Sequence, residues 1–265
     1  MHRIALGLEY DGAPFSGWQI QSSSNIETVQ GKVEGALTKV ADEPIKTFCA
    51  GRTDAGVHAT NQVVHFDSSI NRGVKAWTIG VNSLLPPSIR IRWAENVDNS
   101  FHARFSATAR RYQYLVYCQK IESPLLWQKA LQIPGELDIS LMNQAAVGLI
   151  GEHDFSAFRA AGCQSRSSKR CVIAANWYKK GSFVIFDVKA NAFLLHMVRN
   201  FVGAFLDVGR GNKSVEWISE LLAGGDRSLG SATAPPDGLY LAGVDYPAIH
   251  DIHKCLSLPL FLLET

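Results

Sequence analysis

The 265-residue sequence lacks an apolar run near the roughly 20 residues that a membrane-spanning helix needs. It lacks a positively charged start followed by an apolar stretch, so a secretory leader is not expected. It has no Cys-x-x-C pair. Its five cysteines, Cys49, Cys118, Cys163, Cys171 and Cys255, are odd in number and scattered. That argues against a disulfide frame or a zinc site and fits free thiols in a reducing compartment. It also lacks the G-x-x-x-x-G-K phosphate loop and the glycine fingerprint of dinucleotide binding. Nor is there a surplus of charge: 26 Lys plus Arg stand against 24 Asp plus Glu, a net +2. Any nucleic-acid surface must therefore be local. No low-complexity linker interrupts the chain. Hydrophobic residues at 46% and charged residues at 19% place it among ordinary globular proteins. The expectation is a soluble cytoplasmic protein of one large or two small domains.

Ile4, Leu6, Leu8 and Tyr10 alternate with smaller or polar residues, the period of a strand. A glycine-rich loop, 11–17, follows. Val29, Val33, Ala36, Leu37 and Val40 lie on one helical face, with Thr28 as N-cap. Residues 45–50 and 61–67 read as strands, 73–82 as a helix, and Ile89, Ile91 and Trp93 as part of another strand. After residue 105 come a strand over 111–117, a helix over 140–150 capped by Gly151, and a hairpin of strands 170–178 and 183–190. A strongly apolar helix spans 194–208, a helix capped by Ser214 runs to Leu222, and a last strand covers 239–244. This order predicts an α+β fold. Two related halves, 1–105 and 106–265, would form a mostly antiparallel sheet with helices outside.

Three segments could carry chemistry. In Gly51-Arg52-Thr53-Asp54-Ala55-Gly56-Val57-His58, glycines bracket Arg52 and Asp54, so a sharp turn can present the carboxylate. A plain surface turn with an Asx bond is the competing reading. In the apolar helix, His196, Arg199, Asn200 and Gly203 fall at i, i+3, i+4 and i+7 as one polar stripe. A buried guanidinium there requires a carboxylate or phosphate partner, or else a purely structural ion pair. Between Arg104 and Tyr117, Arg104, Arg110 and Arg111 are interleaved with Phe105, Tyr112, Tyr114 and Tyr117. Such a segment suits phosphate and unpaired bases, or equally a half-buried strand. Arg159, Arg166, Lys169 and Arg170 read as a flexible arm able to follow a phosphate backbone, or as a solvated loop. His58 and His65 are too far apart for a zinc pair, and His153-Asp154 reads as helix-end polar residues.

These motifs together resemble the TruA family of tRNA pseudouridine synthases. The likeness runs through Phe15-Ser16-Gly17-Trp18-Gln19, the Gly51–Ala59 loop, Asn82-Ser83-Leu84-Leu85-Pro86 and Phe101-His102-Ala103-Arg104. It continues through His153-Asp154-Phe155, Phe193–Arg199 and Ala234–Leu241 in the same order. The segment 162–169 and the tail after Asp251 match less well. The resemblance implies that Asp54 is the catalytic carboxylate and Tyr112 packs on the target uracil. It implies that Arg199 pairs with Asp54, and that Arg52 helps hold the target nucleotide out of its stack. Leu239 or Leu241 would touch the base. It further implies a cleft between the halves, a homodimer, no cofactor, and a tRNA partner modified in the anticodon arm at uridines 38 to 40. A catalytically silent tRNA-binding protein on the same fold is the alternative, and the joint presence of Asp54, Tyr112 and Arg199 argues against it.

Overall fold

The computed structural model describes residues 1–21 and 26–250, together with Ile252, Pro259 and Leu262; Cys255 lies outside the described residues. In chain order the elements are β1 (His2–Tyr10), α1 (Val29–Ala41), β2 (Phe48–Cys49), β3 (His58–Ser68), β4 (Ile89–Val97) and β5 (Ala109–Cys118). Then come β6 (Leu131–Ile133), α2 (Ile139–Ala146), β7 (Gly151–Asp154), β8 (Lys169–Lys180) and β9 (Phe183–Ala190). The chain continues through α3 (Met197–Gly209), α4 (Trp217–Gly224) and β10 (Leu239–Asp245). The architecture is α+β and mostly antiparallel, as the element order predicts. By compactness the chain divides at Arg110/Arg111, and residues 240–250 return to the first unit. The expected boundary after residue 105 follows chain order alone and does not anticipate that return.

In the first unit the strand order is β4-β1-β3-β10, with β2 on the side of β3. β1 pairs antiparallel with β3 and β4, so Leu6 faces Val64 on one side and Ala94 on the other. β10 joins β3 in parallel, with Tyr240 opposite His58. Burial along β1 is nearly continuous: Ala5 is as buried as Leu6. Both faces of this strand are covered, which the alternation of large and small residues does not reveal. Thr28 caps α1 by accepting from the Gly31 amide, and the helix buries Val29, Val33, Ala36, Leu37 and Ala41, four of the five residues expected. Trp18, Phe66 and Trp77 are fully buried, with Phe66 and Trp77 edge to face at 5.1 Å. Each such side chain contributes about 1.5–3 kcal/mol or more of apolar burial.

The second unit has the order β5-β9-β8-β7, with β6 parallel to β5. Lys180 faces Phe183 across the β8–β9 hairpin, and Gly181 takes φ +57° in its turn. Trp177 of β8 stacks on Phe186 of β9 at 4.7 Å, and Phe205 of α3 packs against both rings. Phe201, one turn earlier on α3, meets Phe155 and Phe158. The apolar helix of the sequence is therefore the centre of this core.

Several boundaries differ from expectation. The strand expected over 45–50 is only Phe48–Cys49, because the residues before it pair with the side chains of Thr38 and Glu34 instead of a strand. Ser214 is not a helix cap: α4 starts at Trp217, whose amide donates to the Ser214 carbonyl through a preceding turn. His153 and Asp154 lie on β7, where Asp154 accepts from the Ser156 amide and hydroxyl. The helix over 73–82 contains a π-helical turn at Ala76–Gly80.

His65 sets a pH limit on the first unit. Its Nδ1 accepts the Ala103 amide at 3.1 Å. Burial above all, then His102 and Arg3, hold its pKa down to about 4. An unfolded histidine titrates near 6.5, so the folded value is depressed. The stability this site contributes is full above about pH 6.5 and declines as pH falls toward 4, by at most about 1.4 kcal/mol per pH unit. The melting temperature of the wild type is expected to exceed that of His65→Asn at pH 7.5, with the gap closing between pH 6.5 and 4. A gap independent of pH would contradict this assignment.

Candidate active-site residues in each unit

The loop 51–58 joins β2 to β3, and its backbone is held on every side by the first unit. The Gly51 carbonyl accepts from Gln62 Nε2 at 2.6 Å, while the Gly51 amide donates to Gln62 Oε1 at 3.4 Å. Gln62 is fully buried in β3. The Thr53 hydroxyl meets the buried Tyr10 hydroxyl at 2.8 Å, and the Thr53 carbonyl accepts the Trp18 amide at 3.0 Å. The Val57 amide closes a turn on the Asp54 carbonyl at 3.1 Å, and the Gly56 amide reaches the Phe15 carbonyl. Arg52 is exposed, Thr53 buried and Asp54 half-buried. The loop therefore presents the carboxylate at its turn while its anchors stay out of water.

Two glycines of the opening loop make this fit possible. A Cβ on Gly12 would lie 2.0 Å from the Val57 carbonyl oxygen. Gly17 takes φ +91°, and a Cβ there would lie 2.7 Å from the Thr53 carbonyl oxygen. Neither position accepts a side chain without moving the loop. His58, at the end of the loop, is buried, accepts the Gly12 amide at Nδ1 and stacks on Tyr240 at 4.6 Å. Its Nδ1 is also 3.1 Å from Asp11 Oδ1. His58 and His65 are thus both engaged with backbone amides.

The second unit carries Tyr112 and Arg199. Tyr112, on β5, is buried with Phe193 edge-on at 5.0 Å. Arg199, in the first turn of α3, donates from Nε to the Ala234 carbonyl at 2.7 Å, and the Ala234 amide returns to the Arg199 carbonyl. Tyr114 Oη donates to the Pro235 carbonyl, and the Leu115 amide to the Gly238 carbonyl. Burial pushes the Tyr114 phenol well above its usual range, so it remains a donor. The segment 234–238 is thereby tied to α3 at one end and to β5 at the other. Leu239 and Leu241 are both buried on the same face of β10.

Some sequence expectations are corrected. His196 is not on the helical stripe: it precedes α3 in a left-handed conformation, φ +58°. Asn200 on that stripe is structural, donating to the Phe158 carbonyl and accepting from Arg227 and Thr233. Gly203 lies against the Ala232 carbonyl. Arg111 grips Asp187 through two 2.6 Å bonds. Arg110 donates to the carbonyl oxygens of Ala50, Arg104 and Ala107. Both arginines hold the fold. Arg159 donates to the Cys163 and Ser165 carbonyls, and Arg170 to the Ser167 and Lys169 carbonyls. This segment is a folded loop running into β8 rather than a loose arm, with Arg166 exposed on the loop and Lys169 exposed at the start of the strand.

The sequence pattern that defines the tRNA pseudouridine synthases matches residues 8–106 and 145–247. The chain belongs to the tRNA pseudouridine synthase family. Among its relatives, a tRNA pseudouridine synthase A of Shewanella pealeana (strain ATCC 700345 / ANG-SQ1) is 52% identical over 262 residues, covering 99% of this chain and 100% of that one. Another, from Enterobacter sp. (strain 638), is 51% identical over 264 residues, covering 100% of this chain and 97% of that one. A chain from the crystal structure of a Cbf5-Nop10-Gar1 complex aligns over 77% of this chain and 45% of its own, at 13% identity and a TM-score of 0.32. That last likeness is too slight to build on. Members of the synthase family are isomerases, and the matched segments include Arg52, Asp54 and Arg199. Tyr112 lies between the two matched segments.

Motif reading names Trp18 and Tyr10 without assigning them to the Asp54 loop, and it passes over Gln62. β3, HATNQVVHFDS, holds several polar residues besides Gln62, so nothing local singles the glutamine out. Gln62→Leu keeps the volume but leaves the Gly51 carbonyl without that donor. A loss of about 1–3 kcal/mol is expected, a fall in melting temperature of several degrees, with a lower single-turnover rate. Unchanged melting and unchanged rate would show that Gln62 does not hold the loop.

Proposed function

We propose that this protein converts uridine to pseudouridine in the anticodon stem-loop of tRNA, at positions 38 to 40, with Asp54 as the catalytic carboxylate. The reaction breaks the bond from the base N1 to the ribose, turns the base, and forms a bond from C5 to the same carbon. N1 gains a proton and C5 loses one. Nothing is oxidised and no water is consumed overall, so one carboxylate suffices, acting as nucleophile or as base.

The observation that carries this reading is the anchoring of the Asp54 loop. Its backbone meets Gln62, Trp18 and Phe15, and its Thr53 hydroxyl meets Tyr10, within a single compact unit. A carboxylate held in this way needs little reorganisation when it reacts. Family membership over the segment containing it makes the surface-turn reading the weaker one.

The remaining roles follow the chemistry. The target base must leave its stack, at about a few kcal/mol. Stacking at about 1–3 kcal/mol per base offsets that, and Tyr112 is the surface assigned to the uracil. Arg52, exposed beside Asp54, holds the everted nucleotide by its phosphate. Arg199 is the cationic partner of the Asp54 carboxylate, oriented by its bond to the Ala234 carbonyl. The enzyme works as a homodimer and without a cofactor.

Asp54→Asn keeps the shape of the side chain and removes its charge. Release of tritium from uridine labelled at C5 should fall by at least about three orders of magnitude, the scale at which essential catalytic groups act. Affinity for tRNA should change by less than a few fold, since binding is distributed over many contacts. Residual turnover near the wild-type rate would remove Asp54 from its assigned role.

A further inference from the structure

The first unit exposes two phenylalanine rings. Phe105 is 78% exposed and Phe48 is 51% exposed, unusual values for phenylalanine. They are joined through one imidazole: His102 lies 5.4 Å from Phe48 and 4.4 Å from Phe105. Behind it, His65 stacks on Phe48 at 5.1 Å and meets His102 at 4.5 Å. Burial and Arg3 lower the pKa of His102, and His65 is lowered further. Both shifts favour the uncharged imidazole; His102 lies between the two exposed rings, while His65 is buried behind them.

The segment that carries this surface is built, not loose. His102 Nδ1 accepts the amides of Arg104 and Phe105, and His65 Nδ1 accepts that of Ala103. The Ser106 amide returns to the His102 carbonyl, and the Ser106 hydroxyl accepts the His102 amide. Arg110 bonds the Arg104 carbonyl and, with the same guanidinium, the carbonyl of Ala50. Ala50 directly precedes the Asp54 loop, so the exposed rings are fastened to the frame that holds the candidate catalytic carboxylate.

The surroundings are cationic. The Arg104 guanidinium lies 5.6 Å from the Phe105 ring centre. The Cys49 thiol, next to Phe48, feels the positive charge of Arg52, Arg104 and Arg110, although burial still pushes its pKa up to about 12. Exposed rings beside arginines match a nucleotide, whose base has a π-face and whose phosphate is anionic. They suit a second copy of the chain poorly, because a two-fold contact would set like charges against one another.

We propose that Phe48, His102 and Phe105, with Arg104 beside them, form a stacking platform for an unpaired nucleotide of the tRNA other than the target uridine. The proposal rests on the reading of the protein as an enzyme acting on tRNA. It adds a second aromatic contact to the one assigned to Tyr112, and it gives Arg104 a phosphate to hold.

The test uses the full-length protein and tRNA, with the dissociation constant measured across a range of salt and the oligomeric state followed by light scattering. Phe105→Ala should weaken binding about fivefold to 150-fold, the range for loss of one base stack, without changing the salt slope. Phe105→Trp should restore it, and Phe48→Ala should weaken it in the same sense. Arg104→Gln should instead reduce the salt slope by about one counterion. Wild-type affinity for Phe105→Ala overturns the platform, as does a loss that appears only as dissociation of assembled protein. If the wild type itself neither binds tRNA nor forms pseudouridine, the functional reading fails; if it does both and Phe105→Ala binds normally, only the platform fails.

Discussion

The grip of Gln62 on Gly51 is the constraint on which the first unit turns. One buried amide satisfies both polar groups of a backbone unit at the root of a loop that must be open enough to expose Arg52 and half-expose Asp54. An open loop without such anchors would leave buried backbone groups unpaired, or would move with solvent. Here Gln62 and Tyr10 reach the loop from below, the opening loop lies against it through Gly12 and Gly17, and His58 ends it on the side of Tyr240. Sequence positions far apart serve one purpose, which is to fix where a carboxylate stands.

The second unit solves a similar problem with different means. Its α3 is buried almost all round, and two polar residues on it donate to backbone carbonyls: Arg199 to Ala234, and Asn200 to Phe158. The Ala234 carbonyl belongs to a segment, 231–238, with little regular structure of its own. That segment is held because α3 and β5 each supply donors to it. Arg111, by contrast, is bound to Asp187 through a bidentate bond between neighbouring strands, the strong form of an arginine–carboxylate contact. Two arginines in one unit thus do different work, and the difference lies in partners, not in residue type.

Much of this could be read in the residues. The 3.6-residue period of 29–40, the Thr28 cap, the hairpin at Gly181 and the apolar α3 all follow from local rules, and each is present. The loop with Asp54 is visible from its bracketing glycines. What local rules miss depends on tertiary partners. The left-handed His196 shortens a helix whose apolar period continues through it. Phe48–Cys49 is a shorter strand than its surroundings suggest, since side chains from α1 take the neighbouring amides. The arginines from 104 to 111 look alike in sequence, yet Arg110 and Arg111 are tied into the fold while Arg104 lies over an exposed ring. No periodicity separates those cases, because it does not say where a carbonyl or carboxylate will stand.

The chain belongs to the tRNA pseudouridine synthase family, and the central claim proposed for it is that the protein alone isomerises anticodon-arm uridines. The direct measurement is to incubate the purified protein with an unmodified tRNA carrying uridine at positions 38 to 40, in buffer without added cofactor, and to map pseudouridine along the product by chemical derivatisation and primer extension. The account predicts new pseudouridine at those positions and at no other uridine of the transcript. A transcript that remains unmodified, or one modified only outside the anticodon arm, would contradict it.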